Sequence, residues 1–179
     1  MEERTSVAQA ADAGIRTLFA EHHTRMLRVA AVLLSDPSLA EDVVQDAYVS
    51  VYASWGRLRD REAAVGYLHR SVVNGARSRL RRRAVAQRHQ PAPLADAASA
   101  EDVALASLAG RPLLLALRAL PRREREVVLL RHYLDLSERQ TAETLGLRPG
   151  SVKAYGSRGL SSLRAALHPA DDDLLGQGR

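Results

Sequence analysis

Four side chains repeat at helical spacing in one part of this sequence: Arg70, Asn74, Arg77 and Arg81 lie four, three and four residues apart, on one face of a helix. Arg79, Arg82 and Arg83 thicken the charge at its end, and between Glu62 and Asp96 there are seven arginines and no acidic residue. A solvated helix normally intersperses signs, so a face this one-sided suits a polyanion. Trp55 and Tyr67, close by in sequence, offer rings on which single-stranded bases can stack. A second acid-free stretch, Thr144 to Ala170, carries Arg148, Lys153, Arg158 and Arg164, and here Ser151, Ala154, Tyr155 and Arg158 share a helix face. DNA is the natural partner for it. A third group is acidic: Glu41, Asp42, Gln45 and Asp46 gather on the polar side of the first two turns of a helix. Carboxylates there also suit the helix macrodipole, which by itself would account for them.

The second basic stretch sits in two helices joined by a tight turn. Ser137 and Gln140 form a capping-box start, Ala142 and Leu145 an apolar stripe, and Gly146 a stop in the left-handed region. Leu147 to Gly150 make the turn, with Ser151 expected to cap the next helix, whose Val152, Leu160, Leu163 and Leu167 point to the core. This is the pattern of a helix-turn-helix, although the stretch taken alone also fits an ordinary αα-hairpin with a solvated basic face.

Ahead of these elements, residues 1–14 read as a frayed or partly helical lead-in. Leu18, Phe19, Met26, Leu27, Ala30 and Leu33 or Leu34 then recur at helical spacing. Ser35 to Ser38 break that helix around Pro37, and Ser38 is expected to start the next one, with Val44, Tyr48, Val51, Tyr52 and Trp55 as its apolar face. After the polar loop GRLRDR, Val65, Leu68, Val72, Ala76 and Leu80 define the buried stripe of a helix reaching about Arg83. Residues 84–100 lose periodicity around Pro91 and Pro93 and read as a flexible linker. From residue 101 an apolar helix, interrupted near Gly110-Arg111-Pro112, leads into a segment with Val127, Val128, Leu130, Leu134 and Leu136 as core. The expected fold is all-α: two small helical domains, residues 15–83 and 101–168, with an acidic tail at 169–179 that leaves no room for another domain.

With 46% hydrophobic and 26% charged residues the chain is expected to fold, and its net charge of +5 favours an anionic partner. It has no cysteine, which excludes disulfides and thiolate metal sites. Its acidic, polar N-terminus is no signal peptide and no apolar run is long enough to span a bilayer, so a cytoplasmic protein without membrane insertion is expected. Catalytic signatures are missing: Gly146 to Lys153 fails the phosphate-loop spacing, no serine sits in a nucleophile elbow, and Glu21-His22-His23 reads as surface histidines rather than a metal site. No catalytic residue, metal or cofactor is expected.

Taken in order, AEDVVQDAYVSVY, the tryptophan segment with GRLRDREAAVGYLHRSVVNGARSRLRRR, and ALRALPRREREVVLLRHYLDLSERQTAETLGLRPGSVKAYGSRGL resemble the extracytoplasmic-function sigma factors of bacterial RNA polymerase. The resemblance covers about residues 16–167 and is closest to the actinobacterial SigE-like group, through the Trp55 segment, VVN and SRGL. It implies a first domain that binds core polymerase and melts the −10 element of promoter DNA, and a second that reads the −35 element as duplex. By position, Asp42, Gln45 and Asp46 match the motif that docks on the β′ subunit, the β subunit being the other large surface of that partner. The loop Gly56 to Gly66 and Asn74 match the part that captures a flipped non-template base, and Arg70, Arg77 and Arg81 the strand-tracking face, with Trp55 and Tyr67 expected among the −10 contacts. Ser151, Lys153, Tyr155, Ser157 and Arg158 fall where the recognition helix meets the −35 groove, with Arg148 and Arg164 on phosphate. An anti-sigma protein or expression level would supply regulation.

Two positions depart from that family pattern. Tyr155 replaces a long basic or amide side chain, and Gly156 replaces an apolar core residue, at a cost of about 1 kcal/mol relative to alanine inside a helix. The rival readings are a stand-alone helix-turn-helix repressor or activator, which leaves Asp42, Gln45, Asp46 and the first basic helix without a role, and an RNA-binding or nucleoid protein, which leaves the acidic edge without one.

Overall fold

Proline opens two of the helices that the sequence suggested it would delay. The computed structural model describes residues 2–89 and 110–168, which contain no strand. Helix α1 spans Glu2–Leu34, α2 Pro37–Ser54 and α3 Arg61–His89, with a 3-10 turn at Trp55–Arg57. Helix α4 spans Arg111–Ala119, α5 Arg122–Val128 followed by a π turn at Leu129–Tyr133, α6 Glu138–Leu145 and α7 Pro149–Leu167. The chain divides into two units, Met1–Ala97 and Ala98–Arg179.

Helix α2 begins at Pro37 rather than Ser38, and Asp36 is its cap, accepting the Leu39 N–H at 3.2 Å. A proline in the first turn loses nothing, because its missing N–H would have had no partner in the helix. The same logic moves the start of α7 to Pro149, with Arg148 at the N-cap, so Ser151 lies inside the first turn instead of capping it. Two other ends follow expectation. Ser137 and Gln140 form a reciprocal capping box, at 3.2 and 2.8 Å, and Gly146 ends α6 at φ 63°. Asp60 caps α3 by accepting the Ala63 N–H at 2.8 Å.

In the first unit α1, α2 and α3 pack on one another around Leu18, Met26, Val29, Val43, Val44, Val51, Leu68, Val72 and Val73, all buried. Of the two readings of the lead-in, frayed or partly helical, residues 2–14 take the helical one as the first turns of α1, and Ala11 is buried. Gly14 lets Trp55 pack close against α1: a Cβ there would come within 2.0 Å of the indole. Phe19, expected in the core, is 48% exposed; it stacks on the His23 ring at 4.1 Å and leans on Tyr48 at 5.3 Å. Tyr52 likewise faces outward, whereas Tyr48 is buried and donates to the Leu18 carbonyl at 3.3 Å, its hydroxyl pushed up to about 12 by burial. Val65 and Leu80 are only half-buried; Ala64 and Val73 complete the stripe of α3 instead. That helix also continues to His89, so residues 84–89 of the expected linker are its last turns, while residues 90–109 and 169–179 lie outside the described residues.

His22 and His23 are half-buried rather than on the surface. His22 meets His69 edge to face at 6.4 Å, and burial, helped by the charges of His22 and Arg25, lowers His69 to about 4. The unfolded chain therefore binds a proton near pH 6.5 that folded His69 refuses, so stability falls as pH drops below about 6.5 and keeps falling toward about 4. The shift is worth roughly 3 kcal/mol over that window. His69→Gln should flatten this segment of the stability-versus-pH curve measured by urea unfolding; an unchanged slope would mean that His69 does not carry it.

The second unit packs Ala116, Leu120, Val128 and Leu163 together, with Leu113, Leu117 and Leu167 against them. Val127, Leu130, Leu134 and Leu136 are buried as expected. The π turn closes through Leu134 N–H to Leu129 at 3.0 Å, and Asp135 follows at φ 56° to release the chain toward α6.

Candidate nucleic-acid interface

The arginines of α3 divide into two sets. Arg70, Asn74, Arg81 and Arg82 are exposed and Arg77 is half-buried, so the expected basic face exists. Arg79 and Arg83, expected to thicken it, turn instead toward α2: Arg79 lies 3.5 Å from Asp42 and 3.4 Å from Asp46, and Arg83 is 3.9 Å from Asp36. Asp42, Gln45 and Asp46 are themselves exposed along one edge of α2. The acidic edge is thus backed by a cation from the neighbouring helix, which holds the two carboxylates side by side. Spacing already sets Arg79 about 200° from Arg77 around α3, off the Arg70–Arg81 face; the crossing of α2 and α3 then puts it beside Asp42 and Asp46.

At the start of α3, the turn Trp55–Arg57 is tied down by a relay in which Arg57 donates to Ser54 at 3.1 Å and Ser54 donates to the Tyr67 hydroxyl at 3.2 Å. Ser54 is buried, which is why its hydroxyl needs those partners. Trp55, Leu58, Arg59 and Arg61 on one side and Gly14 and Thr17 on the other enclose a cleft of about 340 Å³. Arg61 is anchored to Glu21 of α1. Trp55 therefore packs on α1 and lines the cleft with one edge, while Tyr67 belongs to the relay beneath the turn.

Helix α7 is rotated from the orientation its leucines suggested. Its buried residues are Val152, Gly156, Gly159 and Leu163, and Leu160 is exposed. Glycine is required at 159 because α5 approaches closely: a Cβ there would lie 2.7 Å from Val128 Cγ2 and 3.3 Å from Glu124 Cβ. Gly156 is buried with Val127 Cγ1 3.5 Å from where its Cβ would stand, so it occupies the core position the sequence suggested and has room for a methyl. Arg148, Lys153, Ser157, Arg158 and Arg164 are exposed, and Ser151 and Tyr155 half-buried. Arg158 does not float freely: its Nε donates to Glu124 Oε1 at 3.2 Å, and its guanidinium lies 4.9 Å over the Tyr155 ring. Glu124 was not singled out in the sequence, because within RRERE nothing separates it from its neighbours. Among the described residues no group of three His, Cys, Asp or Glu could hold a metal, and no helix is long and apolar enough to cross a membrane.

The first unit is a set of three helices with paired acids and an arginine face, the second contains a helix-turn-helix, and comparison with known proteins matches both. The family model for sigma-70 region 2 matches residues 18–86, and that for sigma-70 region 4 matches residues 110–163. The chain is 35% identical over 149 residues to the RNA polymerase sigma-E factor of Streptomyces avermitilis, covering 83% of this chain and 82% of that one. It is 33% identical over 150 residues to the ECF RNA polymerase sigma factor SigM of Mycobacterium tuberculosis, covering 84% and 75%. The chain belongs to the extracytoplasmic-function sigma factors, the transcription-initiation proteins that bring core RNA polymerase to promoters. Solved folds agree: RpoE of Bartonella quintana, in complex with the anti-sigma factor NepR, superposes with a TM-score of 0.71 at 22% identity over 87% of this chain and 99% of that chain. CnrH, in complex with the cytosolic domain of CnrY, gives 0.64 at 22% identity over 92% and 97%.

Proposed function

We propose that the first unit docks on core RNA polymerase and opens the −10 element, and that the second reads the −35 element as duplex, the two tasks belonging to the domains expected at residues 15–83 and 101–168. Asp42, Gln45 and Asp46 dock on the β′ subunit. Trp55, Tyr67, Asn74 and the cleft beside Trp55 receive an unstacked base, and Arg70, Arg77 and Arg81 follow the strand backbone. Ser151, Lys153, Tyr155, Ser157 and Arg158 meet the −35 groove, with Arg148 and Arg164 on phosphate. The protein works in the cytoplasm, has no catalytic site of its own, and is open to an anti-sigma protein as regulator. The observation that supports this most is the separation of charge in the first unit: one edge of α2 is acidic and exposed while a neighbouring face of α3 is basic and exposed. A repressor has no use for the first of these.

Exposed ion pairs contribute little to stability, so the pairing with Arg79 is no obstacle to testing the docking edge. Replacing Asp42, Gln45 and Asp46 together by alanine should weaken co-elution with core polymerase about tenfold or more, if they form a central anchor of that interface, and leave the melting temperature nearly unchanged. A collapse of the melting temperature would make the three residues structural.

A further inference from the structure

Glu124 presents an unusual arrangement. It is 8% exposed and lies in the first turn of α5, where a carboxylate already suits the helix dipole. Its near neighbour Glu126, 2% exposed, is served from within the same helix by Arg122 at 2.9 Å and Arg123 at 3.2 Å. Glu124 instead reaches across to α7 and accepts the Nε–H of Arg158 at 3.2 Å. The reach depends on Gly159, whose missing Cβ lets the Glu124 backbone and Cβ sit directly against α7.

That bond has a consequence for what Arg158 can present. Guanine is read by two parallel N–H groups on its O6 and N7, and an arginine held through Nε keeps both terminal nitrogens for that purpose. The Arg158 side chain is 57% exposed, so those nitrogens reach solvent, while the Tyr155 ring supports one face of the guanidinium at 4.9 Å. An exposed arginine otherwise samples many rotamers and must give them up on binding; one fixed at Nε and on one face has given up most of them beforehand.

We propose that Glu124, with Tyr155, is a positioning residue that fixes Arg158 for sequence reading by the recognition helix, an inference that rests on the placement of Arg158 at the −35 groove argued above. It also gives Tyr155 a role: the residue that departs from the family's long polar side chain acts through its neighbour. Glu124 itself touches no DNA.

The test uses the full chain with core polymerase on a set of promoters substituted at each −35 position, comparing wild type, Glu124→Gln, Glu124→Ala, Tyr155→Leu, Arg158→Ala and the Glu124→Ala/Arg158→Ala double variant. Arg158→Ala should reduce discrimination about tenfold at one or two positions. Glu124→Ala should flatten preference at those same positions, Tyr155→Leu should do so partially, and the double variant should match Arg158→Ala alone. Glu124→Gln should keep the wild-type pattern, because its amide oxygen still accepts the Nε–H. A Glu124→Ala protein that binds every promoter more weakly with its preferences intact, or that adds its effect to that of Arg158→Ala, would overturn the proposal and leave Glu124 as a stabiliser of α5. If Glu124→Ala does not fold, full retention of preference in Tyr155→Leu together with loss of preference in Glu124→Gln would overturn it equally. An Arg158→Ala protein with full preference would overturn the placement of Arg158 itself, and the positioning role with it.

Discussion

Gly156→Ala and Gly159→Ala should change stability in opposite directions although the two glycines are three residues apart in the same helix. Both sit in the interior of α7, where alanine gains about 1 kcal/mol of helix propensity over glycine. At Gly156 the new methyl would rest 3.5 Å from Val127 Cγ1, an ordinary contact, so the propensity gain survives. At Gly159 it would meet Val128 Cγ2 at 2.7 Å and the Glu124 Cβ at 3.3 Å, and Val128 is buried with no room to retreat. Overpacking of that kind costs about 1–3 kcal/mol, which outweighs the propensity gain. Each kcal/mol is worth about 4–8 °C in a domain of this size. Thermal unfolding of the full chain should therefore show the transition of the second unit rising by several degrees in Gly156→Ala and falling in Gly159→Ala. Gly159→Val should remove that transition's cooperativity. Equal and positive shifts in both alanine variants would mean that α5 does not approach α7 as described.

Removing the exposed arginines of α3 should impair promoter opening far more than promoter binding. Arg70 and Arg81 lie on the face proposed to follow the melted strand, and both are exposed, so Arg70→Ala/Arg81→Ala should leave the packing of α3 intact. Each lost contact to a single strand lowers the salt slope of binding by about 0.7. Open-complex formation on a linear promoter should drop about tenfold or more at physiological salt, in line with the loss of two charge contacts. On a template with a pre-opened bubble much of the loss should disappear, because the polymerase no longer has to trap transiently opened bases. Arg79→Ala is the informative control, since its guanidinium is turned toward Asp42 and Asp46 and not toward DNA. Equal loss on both templates would show that the arginine face contacts duplex DNA instead.

Periodicity in the sequence located most of the described helices, because buried stripes such as Leu68, Val72 and Ala76 are set by burial against a neighbour and show in any single chain. It misjudged helix starts at Pro37 and Pro149, where proline reads equally as a terminator or as a first-turn residue until the Asp36 cap and the path of the chain are known. It also misjudged the buried face of α7. A leucine count favoured Leu160, yet burial there is decided by how close α5 comes, and glycine at 159 permits an approach that no apolar residue would. The candidate site was readable in its residue types and not in its pairings. Spacing sets Arg79 off the arginine face but not beside Asp42 and Asp46, and Glu124 looks like any other charge in RRERE; their partners depend on helix crossings that one chain's spacing does not encode. The aromatic residues divide for the same reason: Tyr48 has the Leu18 carbonyl as a buried partner, whereas Phe19 and Tyr52, at the same spacing, stay exposed.

The central claim is that this chain gives promoter specificity to core RNA polymerase through two separate DNA tasks, and run-off transcription tests it most directly. Core polymerase, with and without the purified full chain, would be presented with fragments of the source genome and the transcripts sequenced from their 5′ ends. Discrete start sites should appear only when the chain is present, share one pair of spaced −35 and −10 elements, and vanish with the Asp42→Ala/Gln45→Ala/Asp46→Ala protein. Initiation that is unchanged by the chain, together with tight binding of the chain alone to a palindromic duplex, would contradict it and identify a repressor or activator instead.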